Sequence, residues 1–134
     1  MQTTVQSTSN AALWGGRIMS GLVIAFMLLD GGMKLVPLDA VILTSKQMGI
    51  PGDLARPLGV IGLVCTLLYA VPRTSVVVAI LLTGYLGGAI ASHLRLGDPI
   101  FTHTLFGLYL GLLVWGGLYL RDSRLRALIL LREP

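Results

Sequence analysis

Four long apolar runs, broken or bounded by a handful of charged and imidazole side chains, constrain this chain more than any other feature. Each run approaches the length of about 20 residues that a helix needs to cross the hydrocarbon core of a bilayer. The residues that break or bound the runs are Arg17, Asp30, Lys34, Arg56, Arg73, His93, Arg95 and His103. A charge inside a membrane segment is expensive, so each of these asks for a partner, a wet cavity or a function.

Composition agrees with that reading. Only 12% of the 134 residues are charged, against about 25% in an ordinary soluble domain. The mean hydropathy is +0.83. A soluble fold of this size has too little interior for so much apolar surface, so the chain reads as an all-α integral membrane protein, a four-helix bundle. The net charge of +4 comes largely from arginines at segment ends and in the C-terminal tail. That distribution orients a protein in a membrane; it does not line a nucleic-acid groove. The single cysteine, Cys65, lies inside an apolar run and is expected to be buried. An intrachain disulfide and a CxxC redox or metal pair are both excluded.

The spacing predicts a polar N-terminal tail over 1–13, a transmembrane domain over 14–120 and a basic tail over 121–134. Helix one is expected from Trp14 to Val36, ending before Pro37, and is retained rather than cleaved as a signal peptide. Helix two is expected from Leu54 to Val71, with Asp53 as N-cap and Pro57 in the first turn, where its missing N–H costs little. Helix three is expected over 74–96 after Pro72. Helix four is expected over 100–120 after the turn signal Gly97-Asp98-Pro99. The loop from Pro37 to Asp53 is long and apolar enough for a short interfacial helix. The tail can lie along the membrane surface through Leu125, Leu128 and Ile129.

Lysine and arginine set the expected orientation. Arg17, Arg73, Arg121, Arg124, Arg126 and Arg132 collect on one side; Lys34, Lys46, Arg56 and Arg95 collect on the other. The bias places both termini in the cytoplasm. Two pairs of small residues four apart, Gly84/Gly88 on helix three and Gly107/Gly111 on helix four, are expected at close helix–helix contacts.

This topology brings polar groups of all four helices toward the outer leaflet. Asp30 and Lys34 are four apart on helix one with the acid first, the favoured order for an ion pair. Asp30 should lie about 9 Å inside the helix end, at about 1.5 Å per residue. His93 and Arg95 end helix three, Arg56 begins helix two, and His103 begins helix four on the stripe of Gly107 and Gly111. His93 falls off the Gly84/Gly88 stripe. Three readings are open. The groups cap the bundle by pairing with one another, with Lys34 and Arg95 reaching the headgroups. Or they line a shallow pocket in which an imidazole beside a carboxylate exchanges protons with a quinone-like headgroup. Or two histidines and a carboxylate hold a metal, for which no tight ligand spacing exists, so no metal is expected. Phosphate loops, nucleophile elbows and paired catalytic carboxylates of soluble enzymes are missing from the sequence.

Residues Tyr69-Ala70-Val71-Pro72-Arg73-Thr74, then 81–95 with Gly87-Gly88-Ala89 and His93-Leu94-Arg95, then Gly97-Asp98, resemble the DoxX-like family of small bacterial membrane proteins. Gly32-Met33-Lys34-Leu35 at the end of helix one is similar as well, and the resemblance spans most of 14–121. It implies a four-helix bundle in the bacterial inner membrane. Through some relatives it implies a link to thiosulfate:quinone oxidoreduction or to membrane redox complexes, with a quinone as cofactor and a redox partner protein. The family pattern often carries a glutamate early in helix two, where this chain has Gly62. Asp30 is the acid that can replace it.

The leading expectation is a quinone- or sulfur-redox-linked membrane subunit. Asp30 and His103 would handle protons, and Lys34, His93 and Arg95 would hold a polar headgroup. The alternatives are a non-enzymatic membrane adaptor or a small transporter that acts as a homo-oligomer. Nucleic acid is not an expected partner.

Overall fold

The computed structural model describes residues 9–36, 39–51 and 54–130. All regular structure among them is helical: α1 (Asn10–Leu35), α2 (Asp39–Gln47), α3 (Ala55–Ala70), α4 (Ser75–Leu96), α5 (Phe106–Arg121) and α6 (Ser123–Leu130), with a π-helical turn at Ile100–Thr104. The expected helices one to four correspond to α1, α3, α4 and the π turn with α5. Pro37 and the expected N-cap Asp53 lie outside the described residues.

Helix boundaries have local causes. α1 starts four residues before Trp14 because Ser9 caps it; the Ser9 hydroxyl accepts from the Ala12 N–H at 3.2 Å. α4 ends at Gly97, whose φ of +71° is the left-handed conformation that glycine adopts without strain. There the Gly97 N–H meets the Leu94 carbonyl at 3.1 Å and the Asp98 N–H meets the His93 carbonyl at 3.2 Å, closing the helix end. The start of the last span departs from the expected regular helix. Thr104 N–H donates to the Pro99 carbonyl at 3.1 Å and Leu105 N–H to the Ile100 carbonyl at 2.8 Å, one residue wider than an α-helical turn. The loop before α3 does hold a short helix, α2.

Three stretches are long and apolar enough to cross a membrane: Asn10–Leu35, Ser75–Leu96 and Ile100–Arg121. α3 is apolar but shorter, at 16 residues. The packing order is α5–α1–α3–α4–α5, which leaves α1 and α4 facing each other diagonally. Val23, Met27, Tyr69, Val78, Ala79, Leu82, Val114 and Leu118 fill the centre. Ile18, Leu22, Leu29, Ile61, Leu67, Val77, Ile80 and Leu112 point outward and are exposed, as a lipid-facing surface requires.

Tyr69 joins three helices at one end. It is fully buried; its hydroxyl donates to the Val114 carbonyl at 2.8 Å, which leaves Ser20 Oγ to donate to the same hydroxyl at 3.1 Å. Such a satisfied polar link is the condition for placing a phenol in an apolar core.

The close helix approaches are not those expected from the glycine spacing. A Cβ at Gly107 would lie 3.0 Å from the Leu86 carbonyl oxygen, so this glycine packs tightly on α4. Gly84, Gly88 and Gly111 have open space where a Cβ would be, which corrects their expected packing role. The tight contacts fall instead at Gly16 against Gly117 and at Gly31 against Gly59. A Cβ on Gly16 would meet the Gly117 carbonyl oxygen at 2.7 Å, and one on Gly59 would meet the Gly31 carbonyl oxygen at 3.0 Å. These pairs sit on different helices, so no four-residue spacing within one helix reveals them.

Candidate functional site

At the end of the molecule that carries Lys34, the diagonal between α1 and α4 opens into a cavity of about 680 Å³. That volume lies within the range of about 300–1,000 Å³ common for small-molecule sites. α1 supplies Phe26, Met27, Asp30 and Lys34; α4 supplies Gly84, Tyr85, Gly88, Ser92 and His93; the last span supplies His103, Phe106, Gly107 and Leu110. α2 closes over part of it with Val41, Thr44 and Ser45. Gly84 and Gly88 thus make room for the cavity rather than a helix contact.

The polar centre is Lys34. Its Nζ lies 2.5 Å from Asp30 Oδ2 and donates to the Tyr85 hydroxyl at 2.9 Å. The Lys34 and Asp30 side chains keep 27% and 30% of their surface, so the pair is open to a ligand while largely withdrawn from solvent. The ammonium has three donors and uses two here. Tyr85 accepts from Lys34, so its own proton stays available to a bound group. Tyr85 was not singled out as a site residue in the sequence. The signal was its position on the face of Leu81 and Gly88 on an apolar helix, visible only once α1 is placed opposite.

The two histidines meet at the mouth. His93 Nδ1 lies 2.6 Å from Asp98 Oδ2, and His103 Nδ1 lies 2.8 Å from Thr102 Oγ1. Their rings are 6.2 Å apart, edge to face. Each has Nε2 without a partner among the described residues. Asp98, read in the sequence as a turn residue, orients the His93 ring. Although His93 falls off the Gly84/Gly88 stripe, it lines the cavity with those two glycines. The π turn positions His103 on the same wall.

Arg95 is not brought into the cavity. It points to the C-terminal end of α2, where its guanidinium donates to the Met48 carbonyl at 2.6 Å. It therefore ties the loop after α2 to the end of α4. Gly62 faces the same polar centre: a Cβ there would lie 3.4 Å from the Tyr85 hydroxyl. Gly111 is absent from the cavity wall. Among the described residues no three His, Cys, Asp or Glu side chains gather into a metal site.

An all-helical chain with several membrane-length apolar helices, lipid-facing outer surfaces and a half-open polar cavity at one end is a multi-pass integral membrane protein. This one belongs to the DoxX-like family, whose model matches residues 18–117 and so includes the cavity residues from Asp30 to Leu110. Neither a curated protein nor a solved structure matches the chain.

Proposed function

We propose that this DoxX-like protein is a redox-linked subunit of the bacterial inner membrane that binds a quinone headgroup in the α1–α4 cavity. The observation that carries the reading is the Asp30–Lys34–Tyr85 chain on a predominantly apolar cavity wall. A quinone is a flat apolar ring with two carbonyl acceptors. The available donors of Lys34 and Tyr85 suit one carbonyl, and the Nε2 atoms of His93 and His103 at the mouth suit the other or a bridging water. Phe26 and Phe106, with ring centroids 4.9 Å apart, provide an apolar flank for the ring. When bound, the quinone supplies two-electron, two-proton chemistry, with electrons exchanged through a partner redox protein.

The residues of the chain then have distinct tasks. Lys34 and Tyr85 orient the headgroup. Asp30 keeps Lys34 in place and can take a proton. His93, held by Asp98, and His103 connect the cavity to water outside. Asp30 would do here what the glutamate at the Gly62 position does in the family pattern.

The reading includes four membrane spans with both termini cytoplasmic. Chain parity supports the fourth span. α1 ends beside the start of α3 at the Gly31–Gly59 contact, and Tyr69 near the end of α3 meets Ser20, eleven residues before Gly31 on α1. This antiparallel course supports α3 as the segment that carries the chain back across before α4 begins. Its 16 residues are accommodated by local thinning of the bilayer at modest cost.

The test is binding of a short-chain quinone, decylubiquinone, to protein extracted in mild detergent and read by tryptophan quenching. The expected result is saturable binding weakened about tenfold or more in Lys34→Met, which removes a charge-assisted hydrogen bond, and about threefold or more in Tyr85→Phe, which removes a neutral one. Absence of saturable binding by the wild type overturns the quinone reading. A copurifying protein with no bound quinone would favour the adaptor instead.

A further inference from the structure

We propose that the end of the protein opposite the cavity holds the phosphate of an anionic phospholipid, with Arg121 at the centre of the site and α6 lying beside it on the membrane surface. Arg121 is the last residue of α5. Its stem is pressed against α1, because a Cβ at Gly16 would meet the Arg121 Cβ at 3.0 Å. Its guanidinium carbon lies 5.2 Å from the centre of the Tyr69 ring. Its one hydrogen bond among the described residues runs to the Tyr69 carbonyl and is long, at 3.5 Å, while its Nε is buried with no partner. The negative end of the α5 dipole favours a cation here but does not satisfy the remaining donors. A guanidinium presents a rigid fork that matches two phosphate oxygens at once.

No carboxylate among the described residues fills that role. Asp122, the next residue, is engaged elsewhere: its carboxylate accepts from the Arg124 N–H at 2.9 Å and the Leu125 N–H at 3.2 Å and so caps α6. Among the described residues this end gathers Arg17, Arg73, Arg121, Arg124 and Arg126 against Asp122 alone. α6 buries Leu125 and leaves Leu128 72% and Ile129 56% exposed, an apolar edge next to basic side chains. A helix of that kind lies in the interface of an anionic membrane. Trp14, 61% exposed and near Arg17, marks the same level as an interfacial aromatic. Apolar edge, interfacial tryptophan and excess arginine together fit a lipid headgroup at the bilayer surface.

The test uses the whole chain in mild nonionic detergent, titrated separately with phosphatidylglycerol and phosphatidylcholine and read by native mass spectrometry. The wild type should retain phosphatidylglycerol about fivefold or more better than phosphatidylcholine, as about one basic contact near the surface implies. Arg121→Gln should lose most of that preference without changing phosphatidylcholine binding. Arg121→Lys should fall between, keeping the charge but not the fork. Should Arg121→Gln fail to fold, Arg124→Gln and a titration in about 1 M ammonium acetate, where screening extends only about 3 Å, carry the test. Both should then reduce the preference. Equal retention of the two lipids by the wild type overturns the proposal. So does a preference that survives Arg121→Gln, or, if that variant does not fold, one that survives both Arg124→Gln and high salt.

Discussion

Lys34, in the last turn of α1, donates to the hydroxyl of Tyr85 on α4 at 2.9 Å, across a separation of 51 residues. At this end of the molecule the two helices face each other across the cavity, so this bond is a strut at its edge. Asp30 holds the same ammonium from one turn earlier on α1. The strut couples cavity shape to the polar groups that a ligand would touch.

Removing Asp30 or Tyr85 singly should cost about 1–3 kcal/mol of stability, the penalty for leaving a largely buried polar group unsatisfied. Asp30→Asn combined with Lys34→Met should cost less than the sum of the single changes. Thermal unfolding in detergent across the double-mutant cycle reads this directly, and additive losses would show that the pair does not interact.

Glycine substitutions should separate packing from cavity. Gly16→Ala and Gly59→Ala force a Cβ into backbone of the neighbouring helix. Each should destabilise by about 1–3 kcal/mol. Gly84→Ala and Gly88→Ala enter open space and should leave stability unchanged or raise it by about 1 kcal/mol through helix propensity. A melting series of the four variants checks the order.

His103→Ala and His93→Ala should leave the fold intact, because neither ring supports the buried core. Under the proposed function they should weaken quinone binding less than Lys34→Met, since they stand at the mouth. Asp98→Asn should mimic His93→Ala in part by releasing the ring from its 2.6 Å contact. Wild-type quinone affinity in all three variants would confine the site to Asp30, Lys34 and Tyr85.

The proposed topology rests on the arginine bias. Reporter fusions after Arg73 and after Arg121 should read cytoplasmic, and one at Gly97 should read external. With α3 crossing, a reporter after Arg73 that reads external would invert the orientation and put the cavity on the cytoplasmic side of the membrane.

The class, the helix positions within a few residues and the convergence of Asp30, Lys34, His93 and His103 toward one end were legible in the sequence. Those follow from hydropathy, turn residues and chain parity, which are local or one-dimensional properties. The α2 segment was legible for the same reason, as an apolar stretch in a long loop. Which helices stand diagonally opposite emerged from the packing alone. That choice brings Tyr85 to Lys34, turns Gly84 and Gly88 from packing residues into cavity wall, and sends Arg95 to the Met48 carbonyl. It also sets the real close contacts, Gly16 with Gly117 and Gly31 with Gly59, across helices that are distant or unpatterned in sequence. Apolar helices offer nearly the same surface all round, so periodicity carries little information about which face meets which neighbour. Contacts between backbones and the few polar side chains settle that, and they exist only once the helices are packed.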